Sequence, residues 1–366
     1  MSADTEALAA WWRSFARYSL ADYAPRYDAM VRAAAENSDV LELVAAAPPE
    51  AHVPNNLQAA AHYLLLSGVD HPLAAAYEPD FSGDPGPLFC DLVLSHSDAV
   101  ADLLATRVVQ TNEVNRTAVI APAVNRIGGE AASSLALIDV GCSAGLNLIF
   151  DRYRITFGDI SLGPADAALR LTAESRGADP VATPAEVAWR RGIDRNPIDV
   201  SDPAQAMWLE ALLWPDQLGR LDRLRAAIGE FRSDPPELVK ADALDGLAAA
   251  LADAPPDALA LIVTTWVVFY FDEDLRRDFE AMLLDADRPT AWLAMEMAGI
   301  VPGVDVPPTS ESAGEVSAIT LVTGGAGRSV ERRFCGWTHP HGAWVDLAPC
   351  TERAVRRRES RRRRPG

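Results

Sequence analysis

The sequence from Leu135 to Tyr153, LALIDVGCSAGLNLIFDRY, changes from a strand pattern to a helix pattern within a turn of small residues. Residues 135–140 form a short apolar run interrupted by Asp139, as expected for a parallel strand buried on both faces. The apolar residues after the turn 141–145 have the spacing of a helix that packs against a sheet. Such a turn lets a ligand approach backbone N–H groups closely. The stretch therefore predicts an α/β fold with a ligand site at the turn.

Two enzyme classes use a turn of this kind. As Asp139-x-Gly141-x-Ser143-x-Gly145, it resembles the first motif of class I S-adenosylmethionine-dependent methyltransferases, with serine in place of the middle glycine. The resemblance implies that S-adenosylmethionine is the cofactor, that Asp139 helps to position its methionine part, and that Asn147 belongs to the same site. As Gly141-x-Ser143-x-Gly145, the turn also matches the nucleophile elbow of α/β-hydrolases. A serine hydrolase that uses Ser143 is therefore the alternative enzyme, and a non-catalytic nucleotide-binding module is a third interpretation.

The rest of the sequence favours methyl transfer over hydrolysis. A hydrolase needs a histidine after the later strands, and His339 and His341 meet that order. However, no HGGG-like segment for an oxyanion hole precedes the turn. Ser143 is also a natural small residue for a tight turn.

The second strand of the sheet is predicted at Tyr153–Phe157, where bulky and polar residues alternate. It leads to Asp159, which follows Asp139 by twenty residues. Ribose-binding acids have about this spacing in dinucleotide folds. Asp159 is therefore a predicted cofactor-binding residue.

Two later strands end in polar residues. Residues 237–244 indicate a strand, a turn and a helix start, with Asp242 placed to accept from an adenine amino group and Ala243 to offer its N–H. A helix N-cap is the alternative role of Asp242. The apolar run 258–263 is predicted to end at the sheet edge where ligands bind. The candidates at this end are Thr264 and Thr265 for the cofactor and Trp266 and Tyr270 for the substrate, although the two aromatic residues also suit a core.

The remaining patterns predict three regions. Residues 1–130 form a helical N-terminal domain, residues 131–350 form a class I methyltransferase-like Rossmann domain with a helical insertion at about 160–235, and residues 351–366 form a disordered basic tail. The predicted helices of the first region include Leu88–Leu104 as one helix, and the insertion contains a strand at Val187–Arg191. Thr290–Glu296 is predicted as a fifth strand, before antiparallel strands near residues 319–323, 332–337 and 344–347.

Further candidates lie outside the glycine-rich turn. General bases are sought among histidines, which titrate near neutrality, and carboxylates. The candidate catalytic residues are His62, Glu113, His339 and His341. The candidate substrate-binding residues, besides Trp266 and Tyr270, are Gln110, Asn112, Arg116, Trp214 and Gln217. Caps and stop signals explain several of these positions equally well.

Short segments along the whole chain support a family resemblance. They include Pro54-Asn-Asn-Leu57, Gln110-Thr-Asn-Glu-Val114, the Gly141 turn with Asp151-Arg-Tyr153, Trp214-Pro-Asp-Gln217 and Pro340-His-Gly342. With these segments, roughly residues 10–347 resemble a bacterial family catalogued as domain of unknown function 2332. The resemblance implies a methyltransferase-type Rossmann domain and implies no particular reaction.

Composition limits the partners. The net charge of −19 argues against a broad surface for nucleic-acid phosphates. No apolar stretch is long enough for a membrane span and the N-terminus lacks a signal pattern, so we expect a cytoplasmic protein that acts on a small molecule. The four cysteines lack metal-ligand spacing, which predicts reduced thiols and no metal site. The oligomeric state is left open.

Overall fold

The computed structural model describes residues 3–20, 23–131, 134–311 and 316–348. The described residues form two compact units, one from the ranges 3–112 and 198–234 and the other from the ranges 113–197 and 235–348. These bounds differ from the domains predicted from sequence. The helical part of the predicted insertion belongs to the first unit, and the helix before the glycine-rich turn belongs to the second.

Eleven α-helices lie in the described part of the chain. They are α1 Ala3–Phe15, α2 Pro25–Ala35, α3 Ser38–Ala45, α4 Pro54–Leu66, α5 Pro85–Ser95, α6 Ser97–Thr106, α7 Thr117–Ala131, α8 Pro203–Ala211, α9 Leu218–Ser233, α10 Ala243–Asp253 and α11 Glu273–Leu284. The predicted single helix at 88–104 is wrong, because the helical conformation is interrupted at His96, between α5 and α6. Proline at the first turn starts several of these helices, where its missing N–H costs no hydrogen bond.

Twelve strands within the described residues form two sheets. They are β1 Leu135–Val140, β2 Arg154–Phe157, β3 Ile160–Leu162, β4 Arg170–Thr172, β5 Glu174–Ser175, β6 Val187–Asp194, β7 Glu237–Lys240, β8 Leu259–Thr265, β9 Thr290–Glu296, β10 Ser317–Gly324, β11 Glu331–Thr338 and β12 Trp344–Leu347. The large sheet has the order β5-β12-β11-β10-β9-β8-β1-β6-β7, and β3-β2-β4 form a small sheet. The five neighbouring strands β7, β6, β1, β8 and β9 are parallel. The sheet continues beyond β9 with β10, β11 and β12, each antiparallel to the strand before it. The chain is therefore a mixed α/β protein, as predicted.

The predicted second strand of the large sheet is wrong. Tyr153–Phe157 contributes β2 to the small sheet, and β6 pairs with β1 instead. In β2 only alternate side chains are buried, which suits a sheet with one covered face, whereas all residues of β1 are buried. A Cβ added at Gly192 of β6 would lie 2.7 Å from Cys142 Sγ, so glycine permits the close approach of β6 to the turn.

The helix predicted after the glycine-rich turn is shorter than expected. Leu146–Arg152 forms a 3₁₀-helix with non-helical backbone angles at Ile149, and β2 begins two residues after it. The Tyr153 hydroxyl donates to the Leu146 carbonyl at 2.8 Å and closes this short segment. The turn therefore leads into about two helical turns of the tighter type, too few residues for a full α-helix across the sheet.

The core of the second unit lies on the large sheet. Ile138, Ile262 and Trp292 of neighbouring strands are buried together with Leu247 of α10 and Phe279 of α11. The helices in the described residues are not long and apolar enough for any of them to cross a membrane.

Candidate functional site

A cavity of about 760 Å³ lies at the carboxyl ends of β1, β6, β7 and β8. Every residue that lines it belongs to the second unit. The lining consists of Val140, Gly141, Ile193, Asp194, Arg195, Ala241, Asp242, Ala243, Leu244, Asp245, Val267, Tyr270, Phe271, Asp272 and Leu275. The carboxyl edge of parallel strands is where open α/β sheets bind ligands.

Glycine is required at the start of the turn after β1. Gly141 has φ +79°, and a Cβ there would lie 2.4 Å from Val267 Cγ2. The Gly141 N–H donates to the Ile193 carbonyl at 2.8 Å, which extends the pairing of β1 with β6. Ser143 and Gly145 also have positive φ values, of +54° and +72°. Three residues of the turn are therefore left-handed, and the turn is held against two neighbouring elements.

Asp194 occupies the end of the second strand, the place that the sequence assigned to Asp159. One oxygen, Oδ2, accepts from the Ser143 N–H at 2.8 Å, and Oδ1 accepts from the Asn196 N–H at 2.8 Å. Asp159 lies instead in the turn between β2 and β3 of the small sheet. Asp194 was not predicted, because the strand was expected to end at residue 191 and to belong to an insertion, whereas it continues to Asp194. Its signal was Ile193-Asp194, an apolar residue followed by an acid at a strand end, as in Ile138-Asp139.

Asp139 is buried on β1, one residue before its end. Burial, and after it the charge of the neighbouring Asp194, raise its pKa to about 7, while the Arg116 guanidinium acts in the opposite direction. Asp139 is thus a carboxyl group that titrates close to neutrality. It does not line the cavity but lies in the strand directly beneath the turn.

Asp242 and Ala243 line the cavity as the end of β7 and the start of α10. Asp242 is the N-cap residue of α10, as the alternative interpretation predicted, but its side chain makes no capping hydrogen bond. Its Oδ1 accepts from Arg195 Nε at 2.5 Å, and both side chains are largely exposed. Arg195 was not singled out from the sequence, although it directly follows Asp194.

The four candidates at the end of β8 and in the loop after it have different environments. Thr264 is buried and its hydroxyl accepts from Trp292 Nε1 at 3.0 Å, and the Thr265 carbonyl accepts from Arg116 Nη1 at 3.1 Å. The Trp266 indole donates to Ser317 Oγ at 2.8 Å. Tyr270 alone of the four lines the cavity, where its side chain is 76% exposed.

Glu113, Arg116, His339 and His341 come together in the second unit. His341 Nδ1 lies 3.7 Å from Glu113 Oε2, and the backbone N–H of His341 donates to His339 Nδ1 at 3.1 Å. Arg116 donates to the Pro340 carbonyl at 3.0 Å and to the Thr265 carbonyl, so this group borders the end of β8. We call Glu113, His339 and His341 the histidine cluster.

Five of the predicted catalytic and substrate-binding residues belong to the first unit. His62 is a core residue there, because it stacks on Tyr77 at 3.8 Å and shares a hydrogen bond of 3.1 Å with the Ala211 carbonyl. Burial lowers the pKa of His62 to about 4. Trp214 packs on Tyr27 and Gln217 bonds to the Tyr23 hydroxyl, while Gln110 and Asn112 lie in the irregular segment after α6. None of these residues lines the cavity.

Ser143 Oγ and Asn147 Oδ1 are buried without a hydrogen-bond partner among the described residues. A serine nucleophile needs a base within hydrogen-bond reach, and Ser143 has none in this part of the chain.

The described residues contain no group of three or more acidic, histidine or cysteine side chains arranged to hold a metal ion. Cys90, Cys142 and Cys335 are buried, while Cys350 and the predicted basic tail lie outside the described residues.

A family model described as an uncharacterised protein conserved in bacteria, domain of unknown function 2332, matches residues 9–347. The resemblance found in the sequence is thereby confirmed. No curated protein and no solved structure matches the chain.

Proposed function

We propose a function on the premise that the chain belongs to this bacterial family, whose description assigns no reaction. The proposed function is S-adenosylmethionine-dependent methyl transfer to a small molecule by a class I methyltransferase-like domain. The observation that carries it is the cavity in which Gly141, Asp194 and Asp242 meet at the ends of three parallel strands.

The strand order supports a nucleotide-type cofactor. The five parallel strands are numbered here by their order along the chain, as β1, β6, β7, β8 and β9. In the sheet they lie in the order third, second, first, fourth and fifth. This is the order of doubly wound nucleotide-binding sheets, which reverse direction between the first and fourth strands. The turn after β1 lies at that reversal, next to the end of β8.

The lining residues fit the cofactor. An ionised carboxylate offers about four acceptor positions, so Asp194 can accept from ribose hydroxyls in addition to its two backbone N–H groups. Asp242 is exposed, and Oδ2 is the oxygen that Arg195 leaves for an adenine amino group. Four aspartates and one arginine line the cavity, which suits a ligand with positive charge. The volume is within the usual range of about 300–1,000 Å³ for small-molecule sites.

The chain contributes binding, orientation and proton transfer. When bound, S-adenosylmethionine supplies an electrophilic methyl group together with its own leaving group. The turn and the aspartates would hold the ligand at the sheet edge, beside Tyr270 and Phe271, which line the same cavity. His341, whose side chain is 40% exposed and lies 3.7 Å from Glu113 Oε2, is the group that would take the proton of an oxygen or nitrogen acceptor.

Isothermal titration calorimetry tests the cofactor. We expect the wild type to bind S-adenosylmethionine and S-adenosylhomocysteine, and Asp242→Ala to bind each at least about tenfold more weakly, because hydrogen bonds to a charged group contribute about 1.5–3 kcal/mol. Asp253→Ala is the matched control, since Asp253 pairs with Arg191 at 2.6 Å at the other end of α10 and does not line the cavity. Absence of binding to the wild type refutes the proposal.

Turnover separates the enzyme from the two alternatives. Incubation with methyl-labelled S-adenosylmethionine and a small-molecule extract is expected to transfer label to an acceptor. Binding without transfer of label would indicate a nucleotide-binding module. Ser143→Ala is expected only to weaken cofactor binding, whereas loss of an esterase activity in this variant would indicate the serine hydrolase.

A further inference from the structure

The loop that follows β8 forms one wall of the cavity. Val267, Tyr270 and Phe271 of this loop line it, and Val267 packs directly on Gly141 of the opposite turn. The position of residues 266–271 therefore decides the width of the cavity. Contacts with β9 and β10 hold this loop in place.

The loop begins with a strained residue. Trp266 has φ +59°, a left-handed conformation that costs a non-glycine residue about 1–2 kcal/mol. Such a residue persists only when its surroundings over-determine it. Two contacts hold Trp266 itself, from its N–H to the Met295 carbonyl at 3.0 Å and from its indole to Ser317.

Glu296 holds the two residues that follow. It is the last residue of β9 and is 1% exposed. Its Oε1 accepts from the Val267 N–H and from the Val268 N–H, both at 3.0 Å. Oε2 has no hydrogen-bond partner among the described residues. One buried carboxyl oxygen thus holds two consecutive N–H groups, which would otherwise lack an acceptor after the turn at Trp266.

We propose that Glu296 is a positioning residue that fixes the loop 266–271 as the wall of the ligand cavity. Its role in ligand binding rests on the proposed function, whereas its hold on the loop does not. Burying an acid at this point is costly unless hydrogen bonds satisfy it. A purely structural strand end would be served better by an apolar residue, such as those at the buried positions 291–295 of β9.

Three variants separate this role from general destabilisation. Glu296→Ala removes the acceptor, and Glu296→Gln keeps a carbonyl oxygen that can accept from both N–H groups. Glu280→Ala is the control, because Glu280 is also a buried glutamate of the second unit but pairs with Arg332 at 2.8 Å, away from the loop.

Amide hydrogen exchange of the ligand-free protein is the first measurement. In Glu296→Ala we expect the segment 266–271 to exchange at least about tenfold faster relative to β1, since two hydrogen bonds are lost. Glu296→Gln is expected to restore slow exchange, and Glu280→Ala to leave the ratio unchanged. An unchanged ratio in Glu296→Ala, or the same rise in Glu280→Ala, overturns the proposal.

Calorimetry with S-adenosylmethionine is the second measurement. We expect about tenfold weaker binding by Glu296→Ala and near wild-type binding by Glu296→Gln and Glu280→Ala. Equal affinities of Glu296→Ala and the wild type overturn the role in ligand binding. If the wild type binds no S-adenosylmethionine, the proposed cofactor fails while the exchange experiment still decides the role of Glu296.

Discussion

Replacing Gly141 by alanine tests the geometry of the turn. The new Cβ would lie 2.4 Å from Val267 Cγ2 and 2.8 Å from Val267 Cβ. Val267 cannot move away easily, because its N–H is bonded to Glu296. The φ of +79° adds a second penalty, since left-handed backbone costs a residue with a Cβ about 1–2 kcal/mol. Overpacking of a well-filled site costs about 1–3 kcal/mol, so we expect a total loss of about 2–5 kcal/mol.

Urea unfolding followed by circular dichroism measures this loss. Gly129→Ala is the matched control, because Gly129 lies in α7 of the same unit and a Cβ there would meet nothing within 4 Å. This variant is expected to be more stable by about 0.5–1 kcal/mol, the ordinary helix preference of alanine over glycine.

A double variant separates the two penalties at Gly141. Val267→Ala removes the Cγ2 atom that the new Cβ meets first. The stability loss of the double variant should therefore be smaller than the sum of the two single losses, by about 1 kcal/mol. The reasoning is refuted if Gly141→Ala changes the unfolding free energy by less than about 0.5 kcal/mol.

Two buried titratable groups predict how stability depends on pH. The folded-state pKa of Asp139 is raised from 3.8 to about 7, so the stability that its proton provides is complete below 3.8 and is lost as the pH rises through 7. Asp139→Asn should therefore become more stable relative to the wild type across this window, by up to about 4 kcal/mol in urea unfolding, and a difference that does not change with pH would contradict this. The folded-state pKa of His62 is lowered from 6.5 to about 4, so the wild type should lose stability as the pH falls through this range, by up to about 3 kcal/mol. His62→Gln keeps a donor for the Ala211 carbonyl and should flatten the acid side of the stability profile, and an equally steep profile would show that another group is responsible.

Local sequence patterns determined several elements of this protein. The strand before the glycine-rich turn, the fifth strand at Thr290–Glu296 and the strand that leads to Asp242 were predicted and are present. These signals are local, because an apolar run ending in small or polar residues reports the burial of its own segment. The family was recognisable from the sequence for the same reason, since its motifs are short and contiguous.

The partners of these elements depended on tertiary structure. One neighbour of β1 in the large sheet is β6, which follows it after more than thirty residues. The next strand along the chain, β2, joins the small sheet instead. Asp159 was selected by spacing alone, and spacing does not determine which strands pair. Asp194 was overlooked for that reason, although its carboxylate holds the turn.

By itself, the sequence determined the α/β class, the turn of small residues and the family, because each depends on neighbouring residues. Only the tertiary structure decided which acids reach the cavity, placed Glu113 beside His341 and placed Glu296 beneath the loop after β8. The physical reason is that hydrogen bonds and burial act between residues close in space, and the chain brings together groups that are more than two hundred positions apart, such as Asn115 and Gly342. The periodicity of a sequence contains no record of such contacts.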